Sequence, residues 1–237
     1  MKFYLYGQLT CLLLLIVVVI CYRANVVSFK PFSAIFAALL LTWITLGVIS
    51  LILLCINIAE KNLPIALSKY GSSSLLALLP IAALLILFVK ARSVPPIHDI
   101  STDTAHPPEF VIAPTLRRSG HNPLNYNDRV RQYQSESYPE ITTLELSESF
   151  KSVFSRAIAE AKCMGWDVHY IDEANGLIEA TATSQLFGFV DDIVIRVHSA
   201  DENRFVDLRS ASRVGVSDLG TNAKRISAFL EKMQEGF

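Results

Sequence analysis

Three long stretches near the start of the chain are apolar and free of charge; beyond about residue 90 the pattern breaks into short periodic segments. Phe3 to Tyr22 is a 20-residue run with Gln8 as its one strongly polar member. Ser33 to Ile58 follows with 26 uncharged residues, and Gly71 to Val89 adds 19 more. About 20 residues rising 1.5 Å each cross a hydrocarbon core of roughly 30 Å, so each run predicts a spanning helix. Pro80 lies near the middle of the third and predicts a kink, with a freed carbonyl that a neighbouring helix or a Ser/Thr side chain must satisfy.

Residues 93–140 predict an extended lead-in, because prolines at 95, 96, 107, 108, 114, 123 and 139 forbid long helices and central strands. A short helix fits near Asn127 to Gln134. From 141 to 237 the pattern is regular. Thr143 to Leu146 reads as a strand, and Ser147 as the N-cap of a helix with Glu148 in its first turn. Phe150, Val153, Phe154, Ala157, Ile158 and Ala161 recur at helical spacing, and Gly165 supplies the stop. Strands follow at Trp166 to Ile171 and Leu177 to Thr183, joined through Asn175-Gly176, then at Phe189 to His198 and Arg204 to Ser210. Ile193, Ile195 and Val197 alternate with Arg196 and His198, which predicts one buried and one wet sheet face. A last helix covers about Thr221 to Gln234, with Ala223, Ile226, Phe229, Leu230 and Met233 inward. The order β-α-β-β-β-β-α predicts an α+β domain: an antiparallel sheet with two helices on one face.

Composition sharpens the division. Of 237 residues, 51% are apolar and 18% charged, and mean hydropathy is +0.38, too apolar for an ordinary soluble domain. The net charge of −1 conceals +6 over residues 1–92 and −7 over the remainder. An acidic domain is a poor partner for nucleic acid, so the expected partners are the bilayer and, if the helices serve as an interface, a second membrane protein. The first run lacks a cleavage site before Arg23 and is too long for a signal h-region, so it reads as an uncleaved helix. No ionisable residue lies inside a span, which speaks against a proton relay or ion path. Orientation stays open. Lys2, the terminal amine, Lys61 and Lys69 on one side balance Arg23, Lys30, Lys90 and Arg92 on the other. Cys11, Cys21 and Cys55 lie in the apolar runs; Cys163, on a helical pattern, is expected to be a small buried hydrophobe.

Two blocks are dense in polar residues. Ile97 to Phe110 contains His98, Asp99, Asp103 and His106, which are ligand types for a divalent metal. The spacing matches no standard helical zinc pattern, and an extended strap whose Asp and Thr side chains bond their own backbone explains it equally; no cofactor is predicted. Arg209 to Arg225 leaves a strand, passes Gly215 and Gly220, and enters a helix. There Arg209, Arg213, Arg225 and Asn222 form a candidate anion cradle. In the plainer alternative, Asp218 or Thr221 caps the helix while Asp191, Asp192 or Asp207 pair with the arginines. Neither a phosphate-binding Gly-rich loop nor a Gly-x-Ser-x-Gly elbow is present. Asp191-Asp192 offers two carboxylates for acid-base work or, more plainly, a solvated strand entrance.

These blocks, Ile-His-Asp-Ile-x-Thr-Asp with Pro-Pro-x-Phe and Asp-x-Arg-Ser-x-Ser-Arg-x-Gly-x-x-Asp-x-Gly-x-Asn-x-x-Arg-Ile, resemble the domain-of-unknown-function family 1499 over roughly Val94 to Met233. The resemblance implies a small α+β domain, often membrane-tethered or carried by an envelope protein, with no established activity. It marks His98, Asp99, Asp103, Arg209, Ser210, Ser212, Arg213, Asp218, Gly220, Asn222 and Arg225. It also implies a bacterial inner-membrane protein whose C-terminal domain faces the periplasm. Three readings follow: a non-enzymatic binding or assembly module on a three-helix anchor, an envelope hydrolase or transferase for an anionic or lipid-like substrate, and an accessory subunit of a larger membrane complex.

Overall fold

A computed structural model describes residues 2–235. The chain forms two compact units, Met1–Lys90 and Ala91–Phe237.

In the first unit α1 (Phe3–Arg23) and α2 (Phe29–Ala59) are continuous, and a third apolar stretch runs Leu63–Arg92. All three are long and apolar enough to cross a membrane. The third is built from α3 (Leu63–Ala66), a π-helical turn (Leu67–Gly71), α4 (Ser72–Leu76) and α5 (Leu78–Arg92). Its break at Ala77 falls one turn before Pro80, where the missing proline N–H leaves the ladder incomplete. The π turn was not legible in the sequence, and the serine capture expected at the proline occurs there instead. The Tyr70 carbonyl accepts from Ser74 Oγ at 3.0 Å and Ser50 Oγ at 3.1 Å. Gln8 is fully buried; its amide accepts from Ser73 Oγ at 2.9 Å. Beside it Gly47 lets α2 approach so closely that an added Cβ would clash with Ala77, the small-residue packing that replaces hydrophobic drive in lipid.

The second unit is α+β. Its strands are β1 (Asp99–Ser101), β2 (Leu144–Leu146), β3 (Asp167–Asp172), β4 (Leu177–Thr183), β5 (Val190–Ala200) and β6 (Asn203–Ser212). All pair antiparallel in the order β1-β6-β5-β4-β3. β2 shares the outer edge of β6 with β1: Asp99–Ser101 lies against Arg209–Ala211, and Leu144–Leu146 against Arg204–Val206. The helices are α6 (Ala113–Leu116), α7 (Asp128–Ser137), α8 (Phe150–Cys163) and α9 (Thr221–Gln234). Helices α8 and α9 cover one sheet face. Val153, Phe154, Ile226 and Phe229 pack there on Ile178, Ile193, Ile195 and Leu208, with Trp166 stacked on Phe229 at 5.4 Å.

Several expectations are corrected. The N-cap of α8 is Ser149, whose hydroxyl accepts from the Ser152 amide; Ser147 lies outside the helix. Cys163 is exposed rather than buried, being the last helical residue, just before the turn at Gly165. The lead-in contributes strand β1 to the sheet, because its extended Asp99–Ser101 finds an unpaired edge on β6. The second sheet face is not wet. Val194 and Ala211 are fully buried on it, beside Glu179, Asp192, Asp207 and Arg209.

Gly176 ends the β3–β4 hairpin at φ +66°, and its carbonyl accepts from the Val197 amide at 2.8 Å. A Cβ there would overlap the Val197 carbonyl oxygen. Gly176→Ala is therefore expected to lower stability by more than about 1 kcal/mol, read as a reduced midpoint of Trp166 fluorescence in urea on the full chain in detergent. An unchanged midpoint would show that the hairpin relaxes freely.

Candidate functional site

The second sheet face is a layer of charges under a strap. Residues β1 Asp99, β4 Glu179, β5 Asp192 and β6 Asp207 all point to this side and are nearly inaccessible to solvent. Each is matched. Asp99 receives Arg209 through both oxygens, Nε at 3.0 Å and Nη2 at 2.8 Å. Asp192 sits between Arg117, Nε at 2.8 Å, and Arg213, Nη2 at 2.6 Å. Asp207 takes Arg196 Nη2 at 2.7 Å with the hydroxyls of Thr102 at 2.9 Å and Thr143 at 2.6 Å. Glu179 holds three successive backbone amides, those of Val111, Ile112 and Ala113. The strap of residues 102–126 thus closes over the sheet by donating to its carboxylates. Arg117 carries its charge at a cost, since burial lowers its pKa and Asp192 only partly restores it. His121 is held low by burial and by the nearby Arg213 and Arg117.

A second network lies on the opposite face, between β5, β6 and the start of α9. Arg225 bonds Asp191 at 2.7 Å, Ser210 Oγ at 2.9 Å and Asn222 Oδ1. Ser210 Oγ donates to Asn222 Oδ1 at 2.8 Å, and Asn222 Nδ2 donates to Ser212 Oγ and the His98 carbonyl, both at 3.0 Å. The N-cap of α9 is Gly220 rather than Asp218 or Thr221; Asp218, two residues earlier, accepts from the Asn222 amide at 2.7 Å and the Gly220 amide at 2.8 Å, while burial pushes its carboxyl above the usual range.

The sequence candidates are therefore divided rather than gathered. Arg209 and Arg213 belong to the charged face; Arg225 and Asn222 belong to the α9 network. Each of the three arginines already has a carboxylate partner. Asp191 and Asp192, consecutive on a strand, point to opposite faces, and both are buried rather than solvated. Asp99 and Asp103 serve different arginines, 209 and 196. Burial opposes ionisation of Asp103, but the His106 amide and Arg196 hold its pKa below the ordinary value. His106 enters through its backbone and its ring is exposed, so the four residues of the first block do not converge. No group of three or more metal-ligating side chains is assembled among the described residues.

One concave feature adjoins this layer. A cleft of about 400 Å³ opens between Pro107, Phe110, Pro114, Leu124 and Tyr126, with Arg209 contributing to its lining. The guanidinium carbon of Arg209 lies 5.0 Å from the Phe110 ring centre and 5.6 Å from that of Tyr126. Tyr126 donates at 2.8 Å to Gln134, whose amide also bonds both backbone groups of Ser101; burial pushes the phenol pKa up. Sequence reasoning missed Glu179, Arg117 and the Phe110–Tyr126 pair. Glu179 carried a signal: an acid inside an otherwise apolar strand must be buried with a partner. Arg117 and Tyr126 carried none, because the irregular strap has no period to place them.

Breaking a buried pair leaves an unmatched charge. Asp99→Leu is expected to destabilise the domain by about 3–5 kcal/mol, and the double variant Asp99→Leu with Arg209→Met to recover most of that loss. Urea unfolding of the full chain, followed through Trp166, measures both. Equal losses in the two variants would show that Asp99 acts by packing rather than by pairing.

The observed geometry joins the two polar blocks directly: β1 of the first pairs with β6 of the second, and Asp99 bonds Arg209. No curated protein matches the chain. The description "Protein of unknown function (DUF1499)" matches residues 99–233, which take in β1 through most of α9. The chain belongs to the DUF1499 family, here with three membrane-length apolar helices ahead of the family domain.

Proposed function

We propose that this protein is a bacterial inner-membrane protein that presents its α+β domain on the periplasmic side as a non-enzymatic binding or assembly module. One observation carries the reading. The carboxylates and arginines that acid-base or anion chemistry would draw on are committed to protein partners, Asp99 to Arg209, Asp192 to Arg117 and Arg213, and Asp191 to Arg225, while the buried His98 Nδ1 has none among the described residues. A carboxylate and a guanidinium bonded to each other leave fewer lone pairs and donors for a substrate. The cleft beside Arg209 offers shape and a largely apolar wall, which suits recognition rather than turnover. The envelope setting rests on the three apolar helices and on the family resemblance; an odd number of spans places the two chain ends on opposite sides of the bilayer.

Alkaline phosphatase fused after Phe237 is expected to be active in intact bacteria, and green fluorescent protein at the same point to be dark. The reverse pair of results overturns the periplasmic placement. The purified full chain is expected to leave p-nitrophenyl esters and phosphates intact. Turnover abolished by Arg225→Gln would replace the binding reading with the envelope-enzyme one.

A further inference from the structure

The cleft beside Arg209 has a chemistry narrower than a general binding surface. We infer that it is a site for a small uncharged ligand with an apolar body and a carbonyl-type oxygen, the oxygen accepting from Arg209. This rests on the reading of the domain as a binding module and names what the module takes.

Donor counting gives the first argument. A guanidinium has five N–H groups. Nε and one Nη2 hydrogen go to Asp99, the other Nη2 hydrogen to the Leu124 carbonyl at 2.7 Å, and one Nη1 hydrogen to the Pro108 carbonyl at 3.2 Å. The second Nη1 hydrogen has no acceptor among the described residues, although Arg209 is 4% exposed. Arg209 lines the cleft, so a ligand oxygen there can accept from this remaining donor.

Charge gives the second. The arginine is cancelled by Asp99 at 2.8 Å, and the exposed Glu109 adds a negative charge to the lining. An anion entering here meets a neutral pair and a like charge, so an uncharged acceptor is preferred. The walls supply the rest: Phe110, Tyr126, Leu124 and Pro107 offer ring faces and methyl groups, and about 400 Å³ lies within the usual size of small-molecule sites. The cleft is also pre-formed. Glu179 pins Val111 to Ala113, and Arg117 pins its segment to Asp192 and to the Ala211 carbonyl at 2.9 Å, so little ordering is left for binding.

Two sources carry this chemistry, a lipid ester carbonyl and a free small molecule, and the test separates them. Full-length protein in nanodiscs, 13C-labelled at leucine methyls, is titrated with methyl benzoate, benzoate and propylbenzene while the Leu124 signals are followed. The expected result is a saturable shift with methyl benzoate, about tenfold tighter than with benzoate or propylbenzene. It should change less than about twofold between roughly 50 and 500 mM salt. Asn125→Trp, which fills the rim without touching the Asp99–Arg209 pair, is expected to abolish the shift at an unchanged melting temperature. Weaker binding in ester-lipid than in ether-lipid nanodiscs assigns the site to a lipid carbonyl; equal binding assigns it to a free solute. Tightest binding by benzoate with strong salt dependence, no saturable Leu124 shift, or an unaltered titration in Asn125→Trp overturns the proposal. A cytoplasmic topology reporter would overturn the periplasmic placement yet leave this titration standing, so the two failures are distinguishable.

Discussion

A carboxylate taken out of water must find a counter-charge or a set of donors, and the α+β domain takes four of them out of water on one sheet face. Asp99, Glu179, Asp192 and Asp207 stand on β1, β4, β5 and β6, where an ordinary antiparallel sheet would present polar residues to solvent. Their partners come chiefly from outside the strands that carry them: Arg117, the amides of Val111 to Ala113, Thr102 and Thr143 all lie in the strap or just before β2. The strap therefore cannot be removed without stranding charges, and the sheet cannot be exposed without losing the strap. This mutual requirement makes residues 99–126 part of the fold, although they contain only one three-residue strand and one four-residue helix.

The same constraint explains why two polar blocks more than a hundred residues apart belong together. Asp99 meets Arg209 because β1 lies antiparallel on β6 in the register that sets Asp99 opposite Ala211 and Ser101 opposite Arg209. Arg213, just beyond β6, then reaches Asp192 on the neighbouring strand. Most of the polar side chains that mark the family, though not the His98 ring, are accounted for first as a fold-specifying network. Buried ion pairs add little net stability compared with apolar packing, but they penalise every register that separates them.

Much of the fold was legible because it obeys simple periods. Strand β4 at Leu177 to Thr183 and helix α9 at Thr221 to Gln234 have the bounds the sequence predicts, since alternation and 3.6-residue spacing are strong there. The face opposite α8 and α9 was misread because Arg196 and His198 look like solvent-facing residues. Arg196 is in fact drawn onto Asp207 and Asp103, and His198 alone is substantially exposed. Asp191 and Asp192 were misread for a related reason: adjacency in sequence suggests one shared site, whereas strand geometry sends them to opposite faces. Arg213 and Arg225 pair with Asp192 and Asp191, as the plainer alternative has it, whereas Arg209 pairs with Asp99. Their role as an anion cradle loses its electrostatic basis at that point.

What these buried pairs leave for recognition beside Arg209 is accordingly not charge. The membrane-length helices follow the same logic: Gln8, the one strongly polar residue of the Phe3 to Tyr22 run, bonds Ser73, and Gly47 permits close approach to Ala77. In both units the buried polar groups are mostly matched from within the protein, and the lining left at the Arg209 cleft is largely apolar. A protein arranged this way gains specificity through fit and through the few donors it leaves unmet. Arg209 is where these conditions coincide: its charge is cancelled, its position is fixed by Asp99, Pro108 and Leu124, and aromatic rings stand beside it. A site so built discriminates by whether a ligand brings an oxygen to the right place on an apolar frame, and a net charge on that ligand works against binding.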